Sequence, residues 1–94
     1  MSPKEYRSKA RIYVDILATI MRSGGKTGPT RILYGANLSY DRLMRHLSHL
    51  IEVGLVAEEK LEDKTLYKLT DRGREFLLEF TRMQKFAEAF GITI

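Results

Sequence analysis

The sequence predicts a single α+β, mainly α domain. Three helical stretches of apolar periodicity come first, two short alternating segments follow, and one longer helical stretch ends the pattern. With 94 residues the chain has room for one core, so residues 1–94 are read as one domain.

The first helix is expected over about Pro3–Arg22. Ser2, Pro3 and Glu5 form a capping box, in which the hydroxyl accepts from the third helical amide and the carboxylate reaches back. Ile12, Ile16, Leu17, Ile20 and Met21 recur at three and four residues and make one buried stripe. Ser23, Gly24 and Gly25 end the helix, and Gly24–Gly28 is read as a flexible linker. Its Gly-Gly-Lys-Thr is not a phosphate-binding loop, because that loop needs an earlier glycine and a buried strand before it.

Pro29 starts a short second helix through Tyr34 that carries Ile32 and Leu33, and Gly35, Ala36 and Asn37 break it. Ser39 then caps a third helix, Tyr40–Val53, closed by Gly54. Leu55–Leu61 and Thr65–Leu69 alternate on either side of Glu62-Asp63-Lys64 and read as a hairpin. Two strands alone are marginal in water, so the hairpin must lie on the helices. Thr70 caps a last helix, with Asp71 suited to its positive end. It runs over residues 71–90 and would be about 30 Å long.

Two helices joined by a short glycine-containing turn, with a hairpin directly after the second of them, define a winged helix-turn-helix. The expected architecture is a three-helix core, a β-hairpin wing at about 55–69 and a long C-terminal helix. The recognition helix would lie at about 39–53.

Composition narrows the function. There is no cysteine, which excludes disulfides, thiolate metal sites and a thiol nucleophile, so the fold holds by packing alone. No apolar run reaches the roughly 20 residues of a membrane span. The N-terminus lacks a secretory signal, so a cytoplasmic protein is expected. The net charge of +4 is unevenly spread. Residues 1–45 carry nine Lys/Arg against three acids, and residues 46–94 carry seven against nine. A half at +6 and a half at −2 suit one polyanion-facing side and one solvated or partner-facing side. There is no nucleophile with a base and no ligand cluster, so neither an enzyme, a cofactor nor a metal is expected.

Thr30-Arg31-Ile32-Leu33-Tyr34-Gly35-Ala36-Asn37-Leu38-Ser39-Tyr40, Leu-Ile-Glu-Val-Gly-Leu-Val at 50–56 and Tyr-Lys-Leu-Thr-Asp-Arg-Gly at 67–73 resemble small archaeal winged helix-turn-helix proteins. The likeness to the ten-kilodalton DNA-binding family of Sulfolobus extends from about Ile12 through Leu78 and implies a nucleoid-associated protein. The resemblance implies double-stranded DNA as partner, a role in transcription regulation or chromosome architecture, and a homodimer formed by antiparallel C-terminal helices.

The residues themselves indicate where such a partner would sit. Leu43, Leu47, Leu50 and Ile51 fix the buried side of the third helix, and Arg42, Arg45, His46 and His49 form a neighbouring exposed stripe. Arg42 and Arg45 are the strongest base-reading candidates, because a guanidinium can donate twice to guanine O6 and N7. His46 and His49 share a face but lack further metal ligands; their expected role is polar contact, with binding that strengthens as pH falls. Thr30, Arg31, Ser39 and Tyr40 are placed to reach phosphates, with core packing the alternative for Tyr40. Lys60 and Lys64 bracket the wing turn, although Glu62 and Asp63 between them repel phosphate. Lys4, Arg7, Lys9 and Arg11 are secondary backbone candidates. Phe76, Phe80, Met83, Ala87 and Phe90 follow a heptad; Phe80, Met83, Ala87 and Phe90 are the expected dimer seam, with the domain's own core the alternative and the preferred place for Phe76 and Phe80. The competing reading is a winged-helix module that binds protein without direct DNA contact.

Overall fold

The computed structural model describes residues 7–94. Its elements are α1 (Lys9–Arg22), β1 (Lys26–Thr27), α2 (Pro29–Ala36), α3 (Tyr40–Glu52), β2 (Val56–Lys60), β3 (Thr65–Leu69) and α4 (Asp71–Glu88). The architecture is the expected winged helix, mainly helical, with one departure in the sheet.

The core gathers one stripe from each element. Ile16, Leu17 and Ile20 of α1, Ile32 of α2, Leu43, Leu47 and Leu50 of α3, and Val56 and Leu69 of the sheet are all fully buried. Met21, expected in the α1 stripe, is 43% exposed, since the stripe turns away before the helix ends. Gly35 lets α2 approach α1, for a Cβ there would meet the Thr19 side chain at 2.5 Å.

Three expected boundaries are corrected. α1 begins at Lys9 and not near Pro3: Ser8 holds extended backbone and its Oγ accepts from the Arg11 amide at 3.1 Å, a cap six residues after the expected one. The capping box at Ser2, Pro3 and Glu5 lies outside the described residues, as does Lys4.

The Gly24–Gly28 linker contains a strand. Gly24 and Gly25, at φ of +90° and +94°, wrap the end of α1 so that the Gly25 amide returns to the Ile20 carbonyl at 2.9 Å. The Gly25 carbonyl then accepts from Leu69 at 2.9 Å, and Lys26 and Thr27 pair with Lys68 and Tyr67. The sheet is therefore antiparallel and three-stranded, in the order β1-β3-β2. Two residues are too few to show alternation, which is why the strand has no sequence signal.

α2 continues through Gly35 to Ala36, and Asn37 caps it in the left-handed region at φ 56°. The helix-turn-helix turn is thus only Asn37-Leu38-Ser39. Arg7 pins it: the guanidinium donates to the Ala36 carbonyl at 2.7 Å, the Asn37 carbonyl at 3.1 Å and the Asp15 carboxylate at 2.8 Å. Two chain carbonyls left over at the end of α2 are satisfied in this way.

At the wing base, the Thr70 hydroxyl donates to the Gly54 carbonyl at 2.8 Å and accepts from the Gly73 amide at 3.0 Å. This joins the exit of α3 to the start of α4 and fixes the wing relative to both helices.

Candidate nucleic-acid interface

α3 is set by its own chemistry. The Ser39 hydroxyl accepts from the Arg42 amide at 3.3 Å, Asp41 sits in the first turn, and Leu43, Leu47 and Leu50 bury one side. At about 100° per residue the opposite side carries Asp41, Arg45, Ser48 and Glu52, with Arg42 beside them. All five are exposed. Among the described residues neither Arg42 nor Arg45 makes an ion pair.

The two histidines do not continue that stripe outward as the spacing suggested; they turn toward α1. His46 is half-buried, edge-on to the Tyr13 ring at 5.4 Å and 76°. His49 stays exposed, but its Nδ1 lies 2.5 Å from the Tyr13 hydroxyl. Burial holds the His46 imidazole below its ordinary value, and the charges of Arg42, Arg45, Lys9 and Arg7 push it the same way. Its neutral form is therefore favoured.

Thr30 and Arg31 stand exposed at the start of α2, whose Gly28 cap supplies no side-chain acceptor for the first amides. Ser39 is used as the α3 cap, and Tyr40 projects into solvent at 57% exposure and does not pack on the core.

Lys60 and Lys64 are exposed at the wing tip beside Glu62 and Asp63. Further down the wing, Glu59 is paired with Lys26 at 3.0 Å. Glu58 borders a recess of about 270 Å³ between the wing and α3, whose other walls are Met44, Leu47, Ser48, Ile51 and Tyr67. Burial first, and then the Glu58 charge and Tyr40, push the Tyr67 phenol up.

The secondary cations divide in the same manner. Arg7 is committed to the turn, and the Arg11 guanidinium lies over the Phe80 ring at 5.8 Å. Lys9 is exposed.

On α4 the heptad positions separate. Phe80 packs against the domain core beneath Arg11. Ala87 is buried, and its carbonyl accepts from the Ile92 amide at 2.9 Å where the helix ends. Met83 and Phe90 remain open, and Phe86, which the heptad skips, is 64% exposed with its ring 5.2 Å from that of Phe90. Met83, Phe86 and Phe90 are spaced three and four, so a second stripe was available to a reading by helical period.

Ser48 and Tyr13 also escaped the sequence reading. Ser48 is three residues beyond Arg45, a spacing that places both on one side. Tyr13 gives no local signal, since its partner is 36 residues away. Among the described residues no group of three potential metal ligands forms, and no helix is long and apolar enough to cross a membrane.

A helix-turn-helix whose second helix bears an open polar side, flanked by a hairpin, is the geometry of a winged-helix domain. The winged helix-turn-helix family matches residues 6–88, and the chain belongs to it. Sso10a-2, a DNA-binding protein from Sulfolobus solfataricus, has a similar structure: the TM-score is 0.78 at 27% identity, over 89% of this chain and 85% of that one. A winged-helix DNA-binding protein from STIV gives a TM-score of 0.71 at 19% identity, over 83% and 90%. MarR from E. coli, in its oxidised form, gives 0.66 at 21% identity, over 86% of this chain and 62% of MarR. The last two are likenesses of fold. No curated protein matches the chain in sequence.

Proposed function

We propose that this protein is a transcription regulator that binds double-stranded DNA as a homodimer, laying α3 in the major groove. The observation that carries this reading is the pair Arg42 and Arg45, exposed and free of ion pairs among the described residues on a helix whose other side is sealed into the core. Guanidinium groups so placed can reach guanine edges, while Asp41 and Glu52 can orient them or accept from cytosine N4. Thr30 and Arg31 lie at a helix start whose amides are not capped by a side chain, which suits phosphate. Support also comes from Sso10a-2 and the STIV protein, both described as DNA-binding.

The second copy is argued from α4, where Met83, Phe86 and Phe90 leave an apolar stripe beyond the body of the domain. Pairing two such stripes covers them and presents two recognition helices to one duplex. Phe80, packed against the domain core, and Ala87, buried, flank this stripe on the same helix.

The test is retardation of random-sequence duplex across a salt series. The native protein is expected to lose affinity steeply as salt rises, by counterion release, and Arg42→Ala with Arg45→Ala to weaken it by about 100-fold or more. Binding that ignores salt, or a double variant that binds as the native chain does, would favour a protein-interaction module.

A further inference from the structure

The two flanks of α3 differ in charge. The wing flank presents Glu58, Glu62 and Asp63, and Glu59 is neutralised by Lys26. On that side carboxylates stand beside Lys60 and Lys64 and offset their attraction for a phosphate strand. The α1 flank is the reverse. Lys9 stands in solvent in the first turn of α1, and its charge reaches His46 together with those of Arg42 and Arg45.

The same flank holds a second donor. Burial pushes the Tyr13 phenol up, so the hydroxyl keeps its proton and is able to donate to His49 Nδ1, 2.5 Å away. Where Nδ1 is the acceptor, the neutral ring carries its own proton on Nε2. His49 is exposed, and among the described residues Nε2 has no hydrogen-bond partner. The Tyr13 ring is itself buried in the core, so the hydroxyl is a fixed anchor and the imidazole a fixed donor.

We propose that Lys9 and the Tyr13-anchored His49 grip the phosphate strand beside the groove, so that the α1 flank, and not the wing, supplies the second hold on the duplex. This rests on the DNA-binding reading above. His49 is then a phosphate contact and Tyr13 a positioning residue acting through it. The two contacts differ in kind: an ammonium displaces a counterion and a neutral imidazole does not.

Binding of one duplex at pH 8 across a salt series tests this. Lys9→Ala should reduce the slope of log affinity against log salt by about 0.9. His49→Gln should weaken binding about tenfold and leave the slope alone. Tyr13→Phe, which keeps the ring and its packing, should weaken binding by several-fold. It should cost nothing further in the His49→Gln background, because the two act as one contact. Long-range proton–nitrogen spectra should show His49 in the Nε2–H tautomer, lose that preference in Tyr13→Phe, and shift when duplex is added. Thermal unfolding of each variant separates lost folding from lost contact. The idea is overturned if Lys60→Ala with Lys64→Ala costs more affinity than Lys9→Ala, or if Tyr13→Phe and His49→Gln both bind normally. If Arg42→Ala with Arg45→Ala also binds normally, the DNA reading itself falls.

Discussion

Replacing Gly73 by alanine separates local propensity from packing. Gly73 is in the first turn of α4, where alanine is ordinarily better than glycine by about 1 kcal/mol. The structure reverses that sign. An added Cβ would lie 2.3 Å from the Leu55 carbonyl oxygen and 2.6 Å from a Leu69 methyl, whereas real Cβ contacts essentially never fall under 3.0 Å. The chain must open by at least 0.7 Å against a carbonyl that already accepts from the Thr70 amide at 3.2 Å. Overpacking costs about 2 kcal/mol, the middle of its usual range, and weakening the Thr70 bond adds about 1. Set against the gain in propensity, the net loss is about 2 kcal/mol. For a domain of this size that lowers the midpoint by about 8–16 °C, read by circular dichroism during thermal unfolding. An unchanged or higher midpoint would refute the close approach of α4 to the wing base.

Arg7→Ala should destabilise the fold by about 1–2 kcal/mol in urea, because the turn carbonyls and Asp15 lose a partly screened partner. Arg7→Lys should recover less than half of that, since an ammonium cannot fork to three acceptors; full recovery would contradict the geometry. Folding holds the His46 imidazole low, so as pH falls below about 6.5 the unfolded chain takes up its proton first and stability is lost with it. His46→Gln should therefore show a smaller drop in midpoint between pH 7 and pH 5 than the native chain; equal drops would assign the acid sensitivity elsewhere. If the native chain pairs as proposed, Met83→Asp with Phe86→Asp should sediment as a monomer at concentrations where the native chain sediments as a dimer, and a persistent dimer would move the interface off α4.

The fold was legible wherever one element declares itself locally. Ser39 and Thr70 signalled their helix starts, the leucines of α3 showed its buried side, and the alternation of Thr65–Leu69 marked a strand. What was hidden depended on distant partners. β1 exists because β3 offers it hydrogen bonds, and no two-residue segment announces that. α1 starts at Lys9 because Ser8 holds extended backbone and its hydroxyl caps the helix. The same limit applies to the candidate site. Arg42 and Arg45 could be placed by helical geometry alone, but the direction taken by His46 and His49 is decided by Tyr13 on another helix. Spacing also could not reveal that Arg7 and Arg11 are occupied inside the domain.

β3 carries Leu66, Tyr67 and Leu69, the most apolar strand of the three, and β1 and β2 cover it on both sides. A bare hairpin would leave one side of β3 as a template for recruiting another chain. Here the long free border of the sheet belongs to β2, whose outer run is Glu58, Glu59 and Lys60, and the opposite border is only two residues long. Such charged and abbreviated borders discourage edge-to-edge aggregation. The carboxylates that, in the proposed complex, turn phosphate away from the wing thus also guard this border of the sheet against joining a neighbour strand to strand.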